Sequence, residues 1–361
     1  MAGFGLRSLK KQDDQSTLEG QRSYFPNIVM GETLFGYLTF NKIFERSEGK
    51  ARFLTRNTYL SEQINNDLAC SMNAVRDAEV ADELGFEQLE IKTATKTPLF
   101  YKDTKFHKFG SRAKPNPLLP GEEFFSKPFY QVDLKLDIND EVLAANQLRK
   151  IIKKIKVCEP TDLVEPVRFE LHTGDGDILT CEKLYFCENP RDFYRLVENK
   201  EALSEEVKKF LVAVESHPGI TVHFNCKGKF SEHVGSIVIP QSMTHEWGNF
   251  IVDIEPYENG YQNFKAMTFI DADDMQEEDL AKKIRLMRKV LERVMPELEN
   301  CECTPTIKFD TDFRYQGLND ELSGKLRSED VRFVGAGAPL SHPKSELFQY
   351  FARAAMSLSQ I

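Results

Sequence analysis

Apolar positions along the chain switch between two periods, and the switches lay out an alternation of strands and helices. Ile28-Val29-Met30 is an unbroken apolar run, the pattern of a strand buried on both faces. After Gly31 the period becomes helical. From Leu34 to Arg46, Leu34, Leu38, Asn41 and Glu45 share one line, Phe35, Thr39 and Lys42 lie beside it, and Gly49 marks the end. Phe53-Leu54 supplies the next strand. Residues 56–84 read as two helices closed by Gly85, and 86–109 as a pair of antiparallel strands, because Leu89, Ile91 and Thr93 alternate with polar residues. A helix is expected over 139–155, carrying Val142, Leu143, Asn146, Leu148, Ile151, Ile152 and Ile155. Gly174-Asp175-Gly176-Asp177 predicts a tight hairpin turn leading towards a strand at Leu184-Tyr185-Phe186-Cys187, which Asn189-Pro190 ends before a helix near Arg191.

The second half continues with a helix over 201–215 and strands over 220–225, 234–240, 250–255 and 265–271. The clearest helix spans 277–295, with Leu280, Ile284, Met287, Leu291 and Val294 on one face and Pro296 as its stop. Val331 to Gly337 reads as a last buried strand with a glycine turn, followed by an amphipathic helix over 345–358. The polar, glycine-containing stretch 1–23 reads as a mobile arm, and Lys114 to Gly121, with three prolines, as a rigid loop.

Composition narrows the function classes. With 361 residues the chain can hold two or three domains, or one large domain with a second layer interleaved. A formal charge of −10 argues against broad nucleic-acid binding, which needs basic surface; Lys150, Lys153, Lys154 and Lys156 read as the solvated face of a helix. No run approaches the ~18 apolar residues of a spanning helix, and the first residues lack a secretory core, so the expectation is a cytoplasmic protein. Seven cysteines without a C-x-x-C pair point to reduced, mostly buried thiols, and Cys301-Glu302-Cys303 lacks further ligands for a metal, so none is assigned.

The turn Gly31-Glu32-Thr33-Leu34-Phe35-Gly36, between a buried strand and a helix, carries the first and third glycines of the dinucleotide fingerprint G-x-G-x-x-G, with Thr33 in the middle place. Together with the hairpin strand at 184–187, the sheet and long helix of 190–318 and the closing strand, glycine turn and helix, this order resembles the flavin-containing amine oxidase and phytoene desaturase superfamily. The resemblance implies an α/β fold: a Rossmann-like FAD/NAD(P)-binding layer with an interleaved α+β substrate-type domain. It divides the chain into an arm (1–24), three pieces of the dinucleotide-binding layer (25–100, 148–189, 326–361) and two of the substrate-type domain (101–147, 190–325). It carries cofactor contacts onto Gly31, Thr33, Gly36, the Thr55 or Arg56 position at the end of the second strand, and Gly335 and Gly337 of the closing turn. The fit is partial. Thr33 puts a side chain where phosphate needs bare backbone, Glu32 adds negative charge, the acidic ribose contact is replaced by Thr55 or Arg56, and the closing Gly-Asp is Gly335-Ala336-Gly337-Ala338.

The resulting expectation is a degenerate, amine oxidase-like flavoprotein, a pseudoenzyme acting as a binding or scaffold module, with FAD or NADP lost and a protein partner in its place. The alternative is an FAD- or NAD(P)-dependent oxidoreductase with an atypical site, acting on a hydrophobic amine or alkene. A third reading is a nucleotide or metabolite sensor, with Arg56 and the Gly335–Gly337 turn holding an anion. His245 and Trp247 are the catalytic candidates, a general acid or base beside the only tryptophan. His217, His223 and His233 do not have metal-helix spacing, and the acids at 271–274 and 277–278 suit the start of a long helix. Neither a G-x-S-x-G elbow nor a phosphate-loop Gly-Lys-Ser/Thr is present.

Overall fold

The structure, a computed structural model, describes residues 20–56, 59–70, 74–75, 89–94, 98–108, 130–134, 138–240, 250–270, 276–316, 331–339 and 350–361. The expectations for the arm up to residue 19, the second helix before Gly85, the proline loop 114–121, His245, Trp247, the acids 271–274 and the start of the last helix lie outside the described residues. The strands are β1 (Arg22–Met30), β2 (Ala51–Thr55), β3 (Ala74–Val75), β4 (Leu89–Ala94), β5 (Leu99–Lys102), β6 (Lys105–Lys108), β7 (Tyr130–Leu134), β8 (Gln147–Arg149), β9 (Ile152–Val157), β10 (Phe169–Thr173), β11 (Ile178–Phe186), β12 (Glu215–Lys227), β13 (Gly235–Ile239), β14 (Phe250–Glu258), β15 (Tyr261–Phe269), β16 (Glu302–Gln316) and β17 (Val331–Phe333). The helices are α1 (Leu34–Arg46), α2 (Leu60–Cys70), α3 (Asp140–Asn146), α4 (Pro190–Leu196), α5 (Glu205–Ala213), α6 (Glu277–Val294) and α7 (Tyr350–Ser359).

Two large sheets organise the molecule. In the first, the order β8-β2-β1-β11-β10-β9 has β17 beside the far half of β11, and β8, β2, β1, β11 and β17 run parallel. The Gly174–Asp177 turn closes the antiparallel β10–β11 hairpin as expected, with the Thr173 amide donating to the Asp177 carbonyl at 2.9 Å. One face of this sheet, through Ile28, Leu54, Leu184, Phe186 and Phe333, packs on Phe193 of α4 and Phe210 of α5. Those helices are set by side-chain caps: the Asn189 side chain accepts from the Arg191 amide ahead of Pro190, and that of Ser204 from the Val207 amide. The other face, with Val29 and Phe53, packs on α1 and α7.

The second sheet, β16-β12-β15-β14-β13-β5-β6, packs one face on α6 through Met287, Val290, Leu291 and Val294. Its other face sends Phe100, Val238, Ile251 and Met267 into the same core as α1. Helix α1 is thus sandwiched, and every residue from Leu34 to Phe40 is buried. A helix apolar around its whole girth belongs in such a place.

Three expectations are corrected. Residues 139–155 do not form one helix: α3 stops at Asn146, and β8 and β9 follow, so the lysines at 150–156 are not on a helix. Pairing of Ile152, Ile155 and Val157 with β10 overrides the helical spacing of the isoleucines, which are β-branched and favour a pleated surface. The helix over 201–215 is a short 3-10 turn at 200–202 followed by α5. The thiols are not all reduced, since Cys226 of β12 and its register partner Cys303 of β16 form a disulfide.

Candidate functional site

The carboxyl ends of β1, β2 and β11 meet at the turn into α1, the crevice where open α/β sheets place their ligands. Gly31 has φ +143°, and a Cβ there would stand 2.9 Å from the Cys187 Cβ and 3.0 Å from its carbonyl carbon. The turn is therefore seated against the chain leaving β11. A Cβ on Gly36 would collide with the Gly31 carbonyl, so the third glycine of the pattern serves close packing within the turn.

Thr33 is the N-cap of α1, its hydroxyl accepting from the Gly36 amide at 3.0 Å. The first helical amide, that of Leu34, donates to Asp67 Oδ2 at 3.1 Å. Asp67 comes from α2, which docks beside α1 with Leu60 and Ile64 buried. Its other oxygen lies 3.1 Å from Lys308 Nζ of β16, and Lys308 also stands 3.4 Å from Asp310. Burial pushes the Asp67 carboxyl up from its ordinary range, while Lys308 and the Leu34 amide pull the other way.

Arg56, at the end of β2, is held by acids. Its backbone amide donates to Glu32 Oε1, and its guanidinium Nη2 bonds Glu188 Oε1 at 2.8 Å. Glu188 raises the Arg56 pKa, whereas burial pushes the Glu188 carboxyl up against the pull of Arg56. Beside this pair lies a cavity of about 320 Å³ with an apolar floor that includes Met30, Leu54 and Ile152. Its other two rim cations also have carboxylate partners: Lys150 contacts Asp175 at 2.6 Å and Asp177 at 2.7 Å, and Arg195 contacts Asp192 at 2.9 Å.

The closing turn approaches the same point from the other side. Gly335 lies near the Cys187 carbonyl, so the structure brings the Gly31 and Gly335 turns together around Cys187. The Gly335 amide donates to Ser357 Oγ of α7 at 2.8 Å. A Cβ on Gly337 would meet the Tyr315 ring at 2.6 Å and Pro190 Cδ at 2.9 Å. Burial pushes the Cys187 thiol up to about 12, which keeps it protonated and inert.

Sequence reasoning missed a second constellation, on the face of the second sheet turned towards α1. Ser236, Asp253, Lys265, His223 and Thr306 are successive register partners across β13, β14, β15, β12 and β16, and so form one transverse row. Ser236 donates to Asp253 at 3.2 Å, and Lys265 stands 3.8 Å from Glu255. Burial pushes the Asp253 carboxyl up to about 6 despite Lys265, and burial followed by Lys265 lowers the His223 pKa. The available signal was a charged residue inside a buried run, as in Val252-Asp253-Ile254 and Phe264-Lys265-Ala266. Asp67 had a similar one: it takes the third place of the stripe Leu60, Ile64, Asp67, where an apolar residue belongs.

No family model matches the sequence, and no curated protein matches it. Solved structures do. Wild-type putrescine oxidase bound to putrescine is 10% identical with a TM-score of 0.55, over 94% of this chain and 98% of that one. Cyclohexylamine oxidase from Brevibacterium oxydans IH-35A is 9% identical with a TM-score of 0.56, over 93% and 99%. An oxidoreductase from Methanosarcina mazei is 13% identical with a TM-score of 0.56, over 93% and 100%. At such identities the likeness is one of fold, and it agrees with the mixed sheets and helices described above: the chain has the α/β, amine oxidase-like FAD/NAD(P)-binding fold.

Proposed function

We propose that this chain is an amine oxidase-like pseudoenzyme, a non-catalytic binding or scaffold module in which the dinucleotide site has been given over to internal contacts. The observation that carries the reading is the Asp67 carboxylate on the Leu34 amide. In a dinucleotide-binding turn that amide and its neighbours face the pyrophosphate. Here a diphosphate would meet the carboxylates of Asp67 and Glu32 and the side chain of Thr33, and each polar contact it lost would cost about 1 kcal/mol or more. The residues at this turn do not fit FAD or NADP. Arg56, which would receive a 2′-phosphate in the NADP reading, is held by Glu188 and Glu32. The test is to purify the protein without added cofactor, record its visible absorbance, and assay for flavin released on denaturation. A colourless protein that takes up no added FAD is expected, and stoichiometric flavin would refute the reading.

The alternative, an active flavin- or nicotinamide-dependent oxidoreductase acting on a hydrophobic amine or alkene, draws support from the row Asp253, Lys265 and His223. In that row the buried Asp253 carboxyl and the half-buried His223 imidazole, both with shifted pKa values and facing the first layer, are a resource for proton transfer. Bound flavin in the same experiment would favour it.

A further inference from the structure

A sheet edge presents unpaired N–H and C=O groups, and proteins blunt it with short strands, lysines or a covering segment. Four strands of the two large sheets are treated in this way. β8 and β17 have three residues each, and β6 has four with a lysine at either end. β9 is covered by the chain after α4: the Glu198 amide donates to the Ile155 carbonyl at 2.9 Å, and the Asn199 side chain bonds both the amide and the carbonyl of Val157. β16 is different. It is fifteen residues long, and among the described residues it pairs only with β12, in a register unbroken from Glu302 to Asp310. Proline has no N–H, so Pro305 belongs where the backbone turns away from the neighbouring strand, and alternation turns Ile307 and Phe309 away from β12 too. Their side chains lie on the α6 side of the sheet, beside their register partners Val222 and Ile220, and are 49% and 37% exposed. Open backbone and exposed apolar side chains thus coincide on one edge.

We propose that the outer edge of β16 is an interface for a second copy of this chain, the two strands joining as an antiparallel ladder about a two-fold axis at Phe309. The charge pattern selects this partner and this register. Phe309 is the middle residue of Glu302–Gln316, so an axis there overlaps the two strands along their whole length. It sets Lys308 opposite Asp310 of the partner subunit, and Asp310 opposite the partner's Lys308. An axis one residue earlier would set Lys308 against its own copy, and one residue later Asp310 against its own copy; like charges directly opposite are destabilising. Lys308 and Asp310 already stand 3.4 Å apart within the chain, so the axis closes them into a network of two ammonium groups and two carboxylates. On the other face each Phe309 meets its counterpart and each Ile307 meets Thr311 of the partner subunit, which continues the apolar surface of Ile220 and Val222 across the axis. The surface is self-complementary, as a two-fold contact requires. The inference goes beyond the cofactor reading and does not depend on it.

The test is analytical ultracentrifugation of the full-length protein over a range of concentrations, as wild type and F309K, with folding checked by circular dichroism. Wild type is expected to be a dimer. F309K sets two ammonium groups against each other at the axis and is expected to dissociate at least about tenfold more readily. Cross-linking reads the register. Mild oxidation of F309C is expected to give a covalent dimer, since residues facing in a hydrogen-bonded pair stand about 5.5 Å apart, within disulfide reach. I307C, which faces Thr311 instead of its own copy, and wild type, with its own free thiols, should stay uncrosslinked. Should F309K not fold, the cross-link decides alone. A monomeric wild type overturns the proposal, as does a dimer that F309K leaves unchanged or that cross-links no better in F309C than in I307C. Failure here is distinct from failure of the functional reading: flavin in the wild type refutes that reading and leaves the ladder standing, whereas a monomer refutes the ladder alone.

Discussion

Replacing Gly31 by alanine separates a glycine kept for packing from one kept for a ligand. At φ +143° an alanine is strained, and its Cβ would lie 2.9 Å from the Cys187 Cβ and 3.0 Å from the Cys187 carbonyl carbon. Cys187 has little room to retreat, since it is 5% exposed and its amide is bonded to the Met30 carbonyl at 2.7 Å. Backbone strain of about 1–3 kcal/mol and overpacking of about 1–3 kcal/mol together give an expected loss of about 2–6 kcal/mol. The assay is urea denaturation followed by circular dichroism, comparing midpoint and slope for wild type and G31A without any added nucleotide. A lower midpoint at unchanged slope is the expected outcome. If G31A lies within about 0.5 kcal/mol of wild type, as an ordinary surface change would, the packing argument is wrong and the glycine has to be explained by the approach of a ligand.

Two further outcomes follow from the second sheet. Asp253, faced by Ser236, Lys265 and Glu255, has a folded-state pKa of about 6 against 3.8 for the free group. The folded state therefore binds the proton more tightly, and stability falls as pH rises through that window. Wild type should lose about 3 kcal/mol more than D253N between the unfolded and folded pKa values, and parallel urea-stability profiles from pH 4 to pH 7 would contradict it. Reduction of the Cys226–Cys303 disulfide, which spans 77 residues, should cost about 4–5 kcal/mol by the chain-entropy relation. Alkylation of the native protein before reduction should label Cys301 and spare Cys303, and equal labelling of the two would show that the bond is not formed.

The sequence pattern was most readable where local and tertiary preferences agree. Ile28-Val29-Met30, α1 and α6 needed only periodicity, and the Gly-Asp-Gly turn made the β10–β11 hairpin explicit. Residues 147–157 misled because Leu148, Ile151, Ile152 and Ile155 fit a helix by spacing, while the decisive partners, Phe53 to Thr55 for β8 and Phe169 to Thr173 for β9, lie on strands that spacing cannot see. The disulfide was hidden for the same reason: Cys226 and Cys303 meet only through the register of β12 with β16. At the candidate site, Gly31, Thr33 and Gly36 could be named from the turn alone, and Arg56 from its place at the end of the second strand. Asp67 could not, because what matters is its contact with Leu34, 33 residues earlier, and with a lysine from the other sheet. An aspartate in the apolar stripe of a helix was the one trace it left.

The bond from Asp67 to Leu34 also bears on how the protein accumulates in a cell. A flavoprotein that needs its cofactor to complete the first layer gains stability with the logarithm of free flavin, by mass action, and its apo form is the vulnerable species for proteolysis. A carboxylate built into α2 is present at unit stoichiometry from synthesis onwards. On the proposed reading, the steady-state level of this chain is expected to be indifferent to riboflavin starvation, under which a cofactor-dependent protein of the same fold would decline.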